Sequence, residues 1–304
     1  MVTGYYTDSA AIKNKLQKGD IITKVDGVPV ESLIKKFLPL TPASNYETQL
    51  RDMPRKILRG QTGNVSLSIE RNGQSLPVAM ERYEAGRLKM QIDYDPHPAD
   101  SSYKLLSGNI GYIFPGKYHN HQLPAIKQLF KDTKAIIVDM RCYPSEFMPF
   151  TFGSYLKPTP STFVKFGLAS LGAPGMITIG TPIANGGDST DYYKGNIIVI
   201  VDASTQSQAE YTTMSFQSGP NTTVIGSTTA GADGNVSSIY LPGNIFTYMS
   251  GLGVLYPDGR ESQRAGVRID IPIRPTIRGI KEGRDEMLEK AIELAEKKQP
   301  LKGF

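Results

Sequence analysis

The sequence predicts an α/β chain in which a small β-rich module precedes a larger layered core. Ile197 to Val201 are five consecutive β-branched residues, too apolar for a strand with a wet face. Similar runs at Ala135 to Met140 and Thr223 to Gly226 alternate with helical spacings such as Leu123, Ile126, Leu129 and Phe130, as strands layered with helices do. Ahead of them lie short alternating strands punctuated by the turn dipeptides Asp26-Gly27 and Asn72-Gly73.

Composition narrows the function classes. The 304 residues carry a net charge of +5, with 39% hydrophobic and 21% charged residues, which is ordinary for a soluble globular protein. The basic residues are dispersed and the densest stretch is only Met53 to Arg59, so no nucleic-acid partner is expected. No apolar run approaches the roughly 20 residues of a transmembrane helix, and Met1 to Tyr6 lacks the basic and apolar regions of a signal peptide. The single Cys142 excludes an intramolecular disulfide and a multi-cysteine metal site. With only His97, His119 and His121, and a one-residue gap in His119-Asn120-His121, neither a metal nor a cofactor is expected.

The β-rich module spans residues 1–82. Val2 to Tyr6 fits a strand and Ala10 to Leu16 a short helix. Lys18-Gly19-Asp20 turns into the strand Ile21 to Val25, and Asp26-Gly27 turns again before Val28. Ser44-Asn45-Tyr46-Glu47 fits a capping box opening a helix through Leu50, Met53 and Ile57, which Pro54 should kink. Val65 to Ile69 and Leu76 to Met80 form a hairpin about Asn72-Gly73. Residues 83–105 fit a turn-rich linker, with His97 a loop residue between two prolines. The core follows over 106–304. Asn109 to Phe114 fits a strand, residues 145–195 a long insertion shaping a cleft, and Arg284 to Lys298 an amphipathic helix.

The chemistry concentrates at Asp202-Ala203-Ser204-Thr205-Gln206-Ser207-Gln208-Ala209-Glu210, where a buried strand gives way to a helix. A helix start offers free N–H groups and a positive dipole end, both suited to an oxyanion beside the Ser207 hydroxyl. The same residues fit a Ser-x-x-Glu capping box through Glu210, and on spacing alone the cap is the simpler reading.

Two resemblances extend this. Residues 18 to 30, Lys-Gly-Asp-Ile-Ile-Thr-Lys-Val-Asp-Gly-Val-Pro-Val, resemble the Gly-Asp-x-Ile-x-x-Val-x-Gly-x-x-Val signature of bacterial PDZ domains, peptide-binding modules. In such a module the first strand and the ligand-binding loop precede the segment resembling Val2 to Tyr6, so the module is expected to be partial: either the chain is a fragment or the module has lost its ligand loop. Asp139-Met140-Arg141, Ser207-Gln208-Ala209-Glu210 and Gly226-Ser227-Thr228-Thr229-Ala230-Gly231 together resemble the C-terminal processing (tail-specific) peptidases. That family joins a PDZ module to a crotonase-like α/β core.

The resemblance implies a serine endopeptidase working by acyl transfer on exported or unfolded proteins, in the periplasm or cell envelope. It puts Ser207 at the nucleophile, Glu210 at the acidic residue three positions on, and the Gln208 N–H at one oxyanion donor. A second N–H falls to Tyr143, or to Ser145, since Pro144 has none to give. Gly231, Asp233 and Gln263 fall in the substrate cleft.

Two departures qualify the activity. Where the Ser-Lys branch has its lysine, this chain has Ala232. The element from Gln263 to Asp270 instead resembles that of the histidine branch, which includes the tricorn core protease, with Ile269 where proline is usual and Glu261 two residues from Gln263. That branch carries its histidine base upstream of the PDZ module, so the base is expected outside this chain, with His119 and His121 as spatial alternatives. Cys142 is expected to pack near the site rather than act as nucleophile. The rival expectation is an inactive peptidase-like binding or scaffold protein. It would clamp peptide or lipid-like ligands without turnover, where the peptidase takes a protein or peptide substrate, and the sequence sets no oligomeric state.

Overall fold

The computed structural model describes residues 1–6, 15–89, 100–170, 172–173, 175–187 and 190–297. Most of the helix expected from Ala10, and His97 with its proline-rich turn, lie outside them. The fold is mixed α/β with several sheets, in two compact units: Met1–Ala99 with Arg274–Met287, and Asp100–Ile273 with Leu288–Phe304.

The first unit holds an antiparallel four-stranded sheet in the order β2-β1-β3-β4. Its strands are β1 (Ile21–Val25), β2 (Val28–Pro29), β3 (Gly63–Arg71) and β4 (Gln74–Arg82). Both tight turns form where their dipeptides place them. Asp26 and Gly27 take φ of 49° and 77°, and Asn72 and Gly73 take 54° and 78°, the left-handed pair that a two-residue hairpin turn requires. Val2, Leu16, Val25, Val65, Leu67, Ile69 and Met80 form the core. The Gly-Asp of the sequence motif has a structural use here. Asp20 is buried and grips Arg71 through two hydrogen bonds of 2.7 and 2.6 Å, and that guanidinium holds its carboxyl below the usual range.

Three local expectations for this unit need correction. Val2 exchanges backbone hydrogen bonds with Gly19 and Asp20 at 2.8 Å, yet no strand continues to Tyr6. Val30 opens a helix, α1 (Val30–Phe37), that the alternating pattern around it hid. The helix α2 (Tyr46–Leu58) is capped by Asn45, whose side chain accepts from Thr48 N–H at 3.0 Å, so the cap is one residue beyond Ser44. It also runs unbroken through Pro54, and Leu50, the residue whose carbonyl the proline leaves without a partner, faces solvent.

The second unit is built on a six-stranded sheet in the order β16-β12-β11-β7-β6-β5. Its members are β5 (Tyr103–Leu106), β6 (Ile110–Ile113), β7 (Ala135–Asp139), β11 (Asn196–Val201), β12 (Thr222–Gly226) and β16 (Ile271–Pro272), all parallel except the β5 edge. β5 lies in the stretch expected to be linker. The helices α3 (Leu123–Phe130) and α5 (Gln208–Gln217) link β6 to β7 and β11 to β12. The apolar runs are covered on both faces: every residue of β7 and β12 is buried, as are Ile197 to Val201. Gly226 permits this packing, since a Cβ there would sit 1.9 Å from the Val201 carbonyl oxygen.

The expected insertion is structured rather than irregular. It carries the short helix α4 (Phe152–Tyr155) and the strands β8 (Ser161–Ala169), β9 (Ile177–Ile179) and β10 (Ile183–Asn185). β8 is flanked by β10 and by β15 (Leu252–Leu255), with β9 also paired to it. Between β12 and β15 a separate hairpin forms from β13 (Val236–Leu241) and β14 (Ile245–Ser250). The chain closes with α6 (Ile277–Glu282), capped by Thr276, and α7 (Glu286–Glu296) within the predicted amphipathic segment.

Candidate active site

The ends of β7, β11 and β12 lead into three loops at the carboxyl edge of the parallel sheet, where open α/β folds bind ligands. The β11 loop is folded on itself before it reaches Ser207. Asp202 N–H donates to Thr205 Oγ1 at 3.1 Å and Ser204 N–H to Asp202 Oδ1 at 2.8 Å. Thr205, fully buried, donates onward to the Met140 carbonyl at 2.8 Å, and its own carbonyl accepts from Ala230 N–H at 3.0 Å. One residue, through its side chain and its carbonyl, thus ties the three loops together.

Ser207 has φ 54° and ψ −119°, a region that non-glycine residues avoid. Strain of this kind persists only where the surroundings enforce it, and a sharp, strained strand-to-helix turn is how a nucleophilic serine is presented above a sheet. The capping-box arrangement is in place, though the hydroxyl's half of it falls short of a hydrogen bond. The carboxylate half is made, with Ser207 N–H donating to Glu210 Oε2 at 3.1 Å.

Glu210 is the hub. It is fully buried and accepts four hydrogen bonds: on Oε1 from Thr229 Oγ1 at 2.6 Å and Gly231 N–H at 2.7 Å, on Oε2 from Ser207 N–H and from Ala232 N–H at 3.0 Å. Burial raises its carboxyl above the usual range, and the four donors act against that rise. Three of the four approaching groups are backbone N–H donors and the fourth is a hydroxyl, so the side chain joins the Ser207 turn to the loop after β12.

An N–H can hold an oxyanion only if it is not already committed to another acceptor. Among the described residues the N–H groups of Gln208 and Tyr143 donate to no protein acceptor, as an oxyanion hole requires. Ser145 drops out, because its N–H donates to the Pro115 carbonyl at 3.0 Å. The Gln208 side chain reaches across to the Glu146 carbonyl at 2.8 Å, fastening the helix start to the loop that holds Tyr143. Cys142 is buried, its thiol pushed well up first by desolvation and then by Asp139, so it offers no thiolate.

The remaining cleft residues divide. Gly231 sits at φ 60° and accepts from Arg264 N–H at 2.7 Å, and a Cβ there would meet the Arg264 backbone at 2.8 Å. Gln263 is occupied structurally, its amide donating to the Asp233 carbonyl at 2.8 Å and the Leu252 carbonyl at 2.9 Å. Asp233 Oδ1 accepts from Gly234 N–H at 2.8 Å, while its Oδ2 is buried without a partner. Burial, and then the charge of Glu210, pushes this carboxyl up to about 7. Glu261 stands exposed, in an antiparallel β-bridge with Leu255 just after the turn.

Of the two described histidines, His119 Nδ1 lies 2.8 Å from Glu146 Oε1, and its ring stacks on His121 with centroids 5.4 Å apart. The Asn120 N–H above all, and then His119, hold Glu146 below the usual carboxylate range. No cluster of His, Cys, Asp or Glu among the described residues would hold a metal ion. No described helix is long and apolar enough to cross a membrane. Thr205, Thr229 and Glu146 are the residues that sequence reasoning missed. They do their work through contacts far apart in the chain, and no local pattern marks them.

No curated protein matches this sequence as a relative. Several solved structures share its fold. Mature CPAF superposes with a TM-score of 0.70 at 15% identity, covering 96% of this chain and 79% of that one, and its complex with lactacystin gives 0.68 at 15% over 91% and 77%. A candidate peptidase from Parabacteroides merdae gives 0.59 at 17%, covering 92% of each chain. In sequence, residues 162–273 match the profile of peptidase family S41. That span contains Ser207, Gln208, Glu210, Gly231, Asp233 and Gln263, so the part of the chain that carries the candidate site is similar to peptidase family S41.

Proposed function

We propose that the protein is a serine endopeptidase of the C-terminal processing type, with Ser207 as nucleophile. The strained turn that lifts Ser207 beside the uncommitted N–H of Gln208 carries this reading. The Ser207 hydroxyl oxygen attacks a peptide carbonyl carbon as a histidine takes its proton. The oxyanion meets the N–H groups of Gln208 and Tyr143, each worth about 3–4 kcal/mol to the transition state. The histidine passes the proton to the leaving amine, and water then releases the acyl group by the reverse sequence. Glu210 touches none of the reacting atoms in this scheme; it is a positioning residue that holds the turn.

The histidine is the one the tricorn-like branch carries upstream, supplied from outside these 304 residues. The substrate is a protein or peptide, and residues 1–82 are a partial PDZ-like module joined to a crotonase-like core. Exported or unfolded proteins of the periplasm or cell envelope fit that pairing. Labelling by a fluorophosphonate, lost in Ser207→Ala, together with cleavage of an unfolded protein by a chain extended upstream, supports the proposal; full activity in Ser207→Ala would sink it. Ala232 at the lysine position favours one rival, an inactive peptide-binding relative. Peptide binding with neither labelling nor cleavage by the extended chain would establish that rival.

A further inference from the structure

The β13–β14 hairpin leaves every residue exposed except the half-buried Ile239. Its register pairs Tyr240 with Phe246 and Ser238 with Tyr248, so Val236, Tyr240, Phe246 and Tyr248 share one face, while Leu241, Ile245 and Met249 share the other. The three rings form a ladder, with centroids 5.3 Å apart for Tyr240 and Phe246 and 5.7 Å for Phe246 and Tyr248. Tyr240 is 80% exposed, Tyr248 62% and Phe246 51%. No charged residue occurs between Val236 and Ser250, and neither strand pairs with any other described strand.

This is an unstable arrangement for a hairpin in water. A lone two-stranded ribbon is marginal, uncharged free edges invite pairing, and a contiguous apolar patch of this size marks an interaction site. We propose that the hairpin is a dimerisation arm, its aromatic face packing about a two-fold axis against the same face of a second copy. A face without charge is self-complementary, as a two-fold contact demands. A membrane-docking hairpin would flank its aromatics with lysine or arginine for the lipid headgroups, and this one has neither.

Area sets the mode of contact. At 150–250 Å² per aromatic side chain, the three exposed rings present roughly 400 Å². Two such faces bury less than the roughly 1,000 Å² that a stable interface needs. With Val236, Leu241, Ile245 and Met249 each copy presents on the order of 800 Å², the usual share of one partner. The second face of the hairpin must therefore also be covered, lying along the body of the partner.

Sedimentation velocity on the full chain tests this. At about 50 μM, above the micromolar dissociation constants that weak interfaces of this size reach, the particle should have twice the 33.3 kDa chain mass. Tyr240→Glu and Phe246→Glu should each give monomers with unchanged far-UV circular dichroism. Ser238→Cys should form a disulfide-linked dimer on oxidation, whereas the wild type should not, because Cys142 is buried. A wild-type monomer overturns the proposal, as does a dimer that survives both glutamates without a Ser238→Cys cross-link. So does a monomer that binds phosphatidylglycerol vesicles through Tyr240.

Discussion

Glu210→Gln isolates the hub of the site, because it keeps the shape and changes only what the side chain can accept. The carboxylate takes two donors on each oxygen. A glutamine keeps one carbonyl oxygen for two of them and turns an NH₂ group toward the other two. That NH₂ settles toward Thr229, whose hydroxyl turns to accept from it, so the Gly231 N–H is left facing a donor; the lost bond is worth about 1.5–3 kcal/mol and the stranded N–H costs about 1–3 kcal/mol more. The cost is therefore about 2.5–6 kcal/mol, a large part of a total stability of about 5–15 kcal/mol. For a unit of this size that lowers the thermal midpoint by roughly 5–20 °C. The chain has no tryptophan, so urea and thermal unfolding are followed by far-UV circular dichroism. Glu210→Ala, which strands all four donors, should cost more. A Glu210→Gln protein within about 1 kcal/mol of wild type, with an unchanged urea dependence, would refute the hub.

Other outcomes follow from single residues. Ser207→Gly relieves a backbone conformation that costs about 1–3 kcal/mol, so it should stabilise the protein by about 1 kcal/mol after glycine's added chain entropy while abolishing fluorophosphonate labelling. A destabilised Ser207→Gly would show that the turn is not strained. Lys157 is 1% exposed, with its ammonium bonded to the neutral side chains of Asn185 and Ser218, and desolvation lowers its pKa from 10.5 to about 7. Between those values the unfolded chain binds a proton that the folded chain lacks, so stability should rise with pH from about 7 to 10, by up to about 1.4 kcal/mol per pH unit. Below that window both states are protonated and the dependence from this group vanishes. Lys157→Met should flatten the rise, and an unchanged slope in urea titrations across that range would remove Lys157 as its source.

The legible parts of this protein are those where one segment decides its own environment. Ile197 to Val201 needs no partner to announce burial, since five branched apolar side chains leave no face for water. Asp26-Gly27 and Asn72-Gly73 fix their turns through the backbone freedom of their own residues. Ser207 was visible because strand and helix signals meet there. Where competing local signals were close in energy, the sequence misled: Pro54 stays inside α2 and Val30 starts a helix, because packing outweighs a local preference of a few kcal/mol. The stretch from residue 145 to 195 hid three strands because β8 is completed by β15, far along the chain, and among the described strands β9 and β10 pair only with β8.

The sequence by itself determined the α/β alternation, the tight turns and the order of the peptidase-like motifs, all properties of neighbouring residues. Only the tertiary structure decided what Glu210 does, since its partners at 207, 229, 231 and 232 meet through two separate loops. Spacing left Ser207 a helix cap. Folding gives it φ 54° and a hydroxyl without a capping hydrogen bond, because the four donors on Glu210 and the Thr205 tie to Met140 hold the turn in a shape no isolated segment would keep.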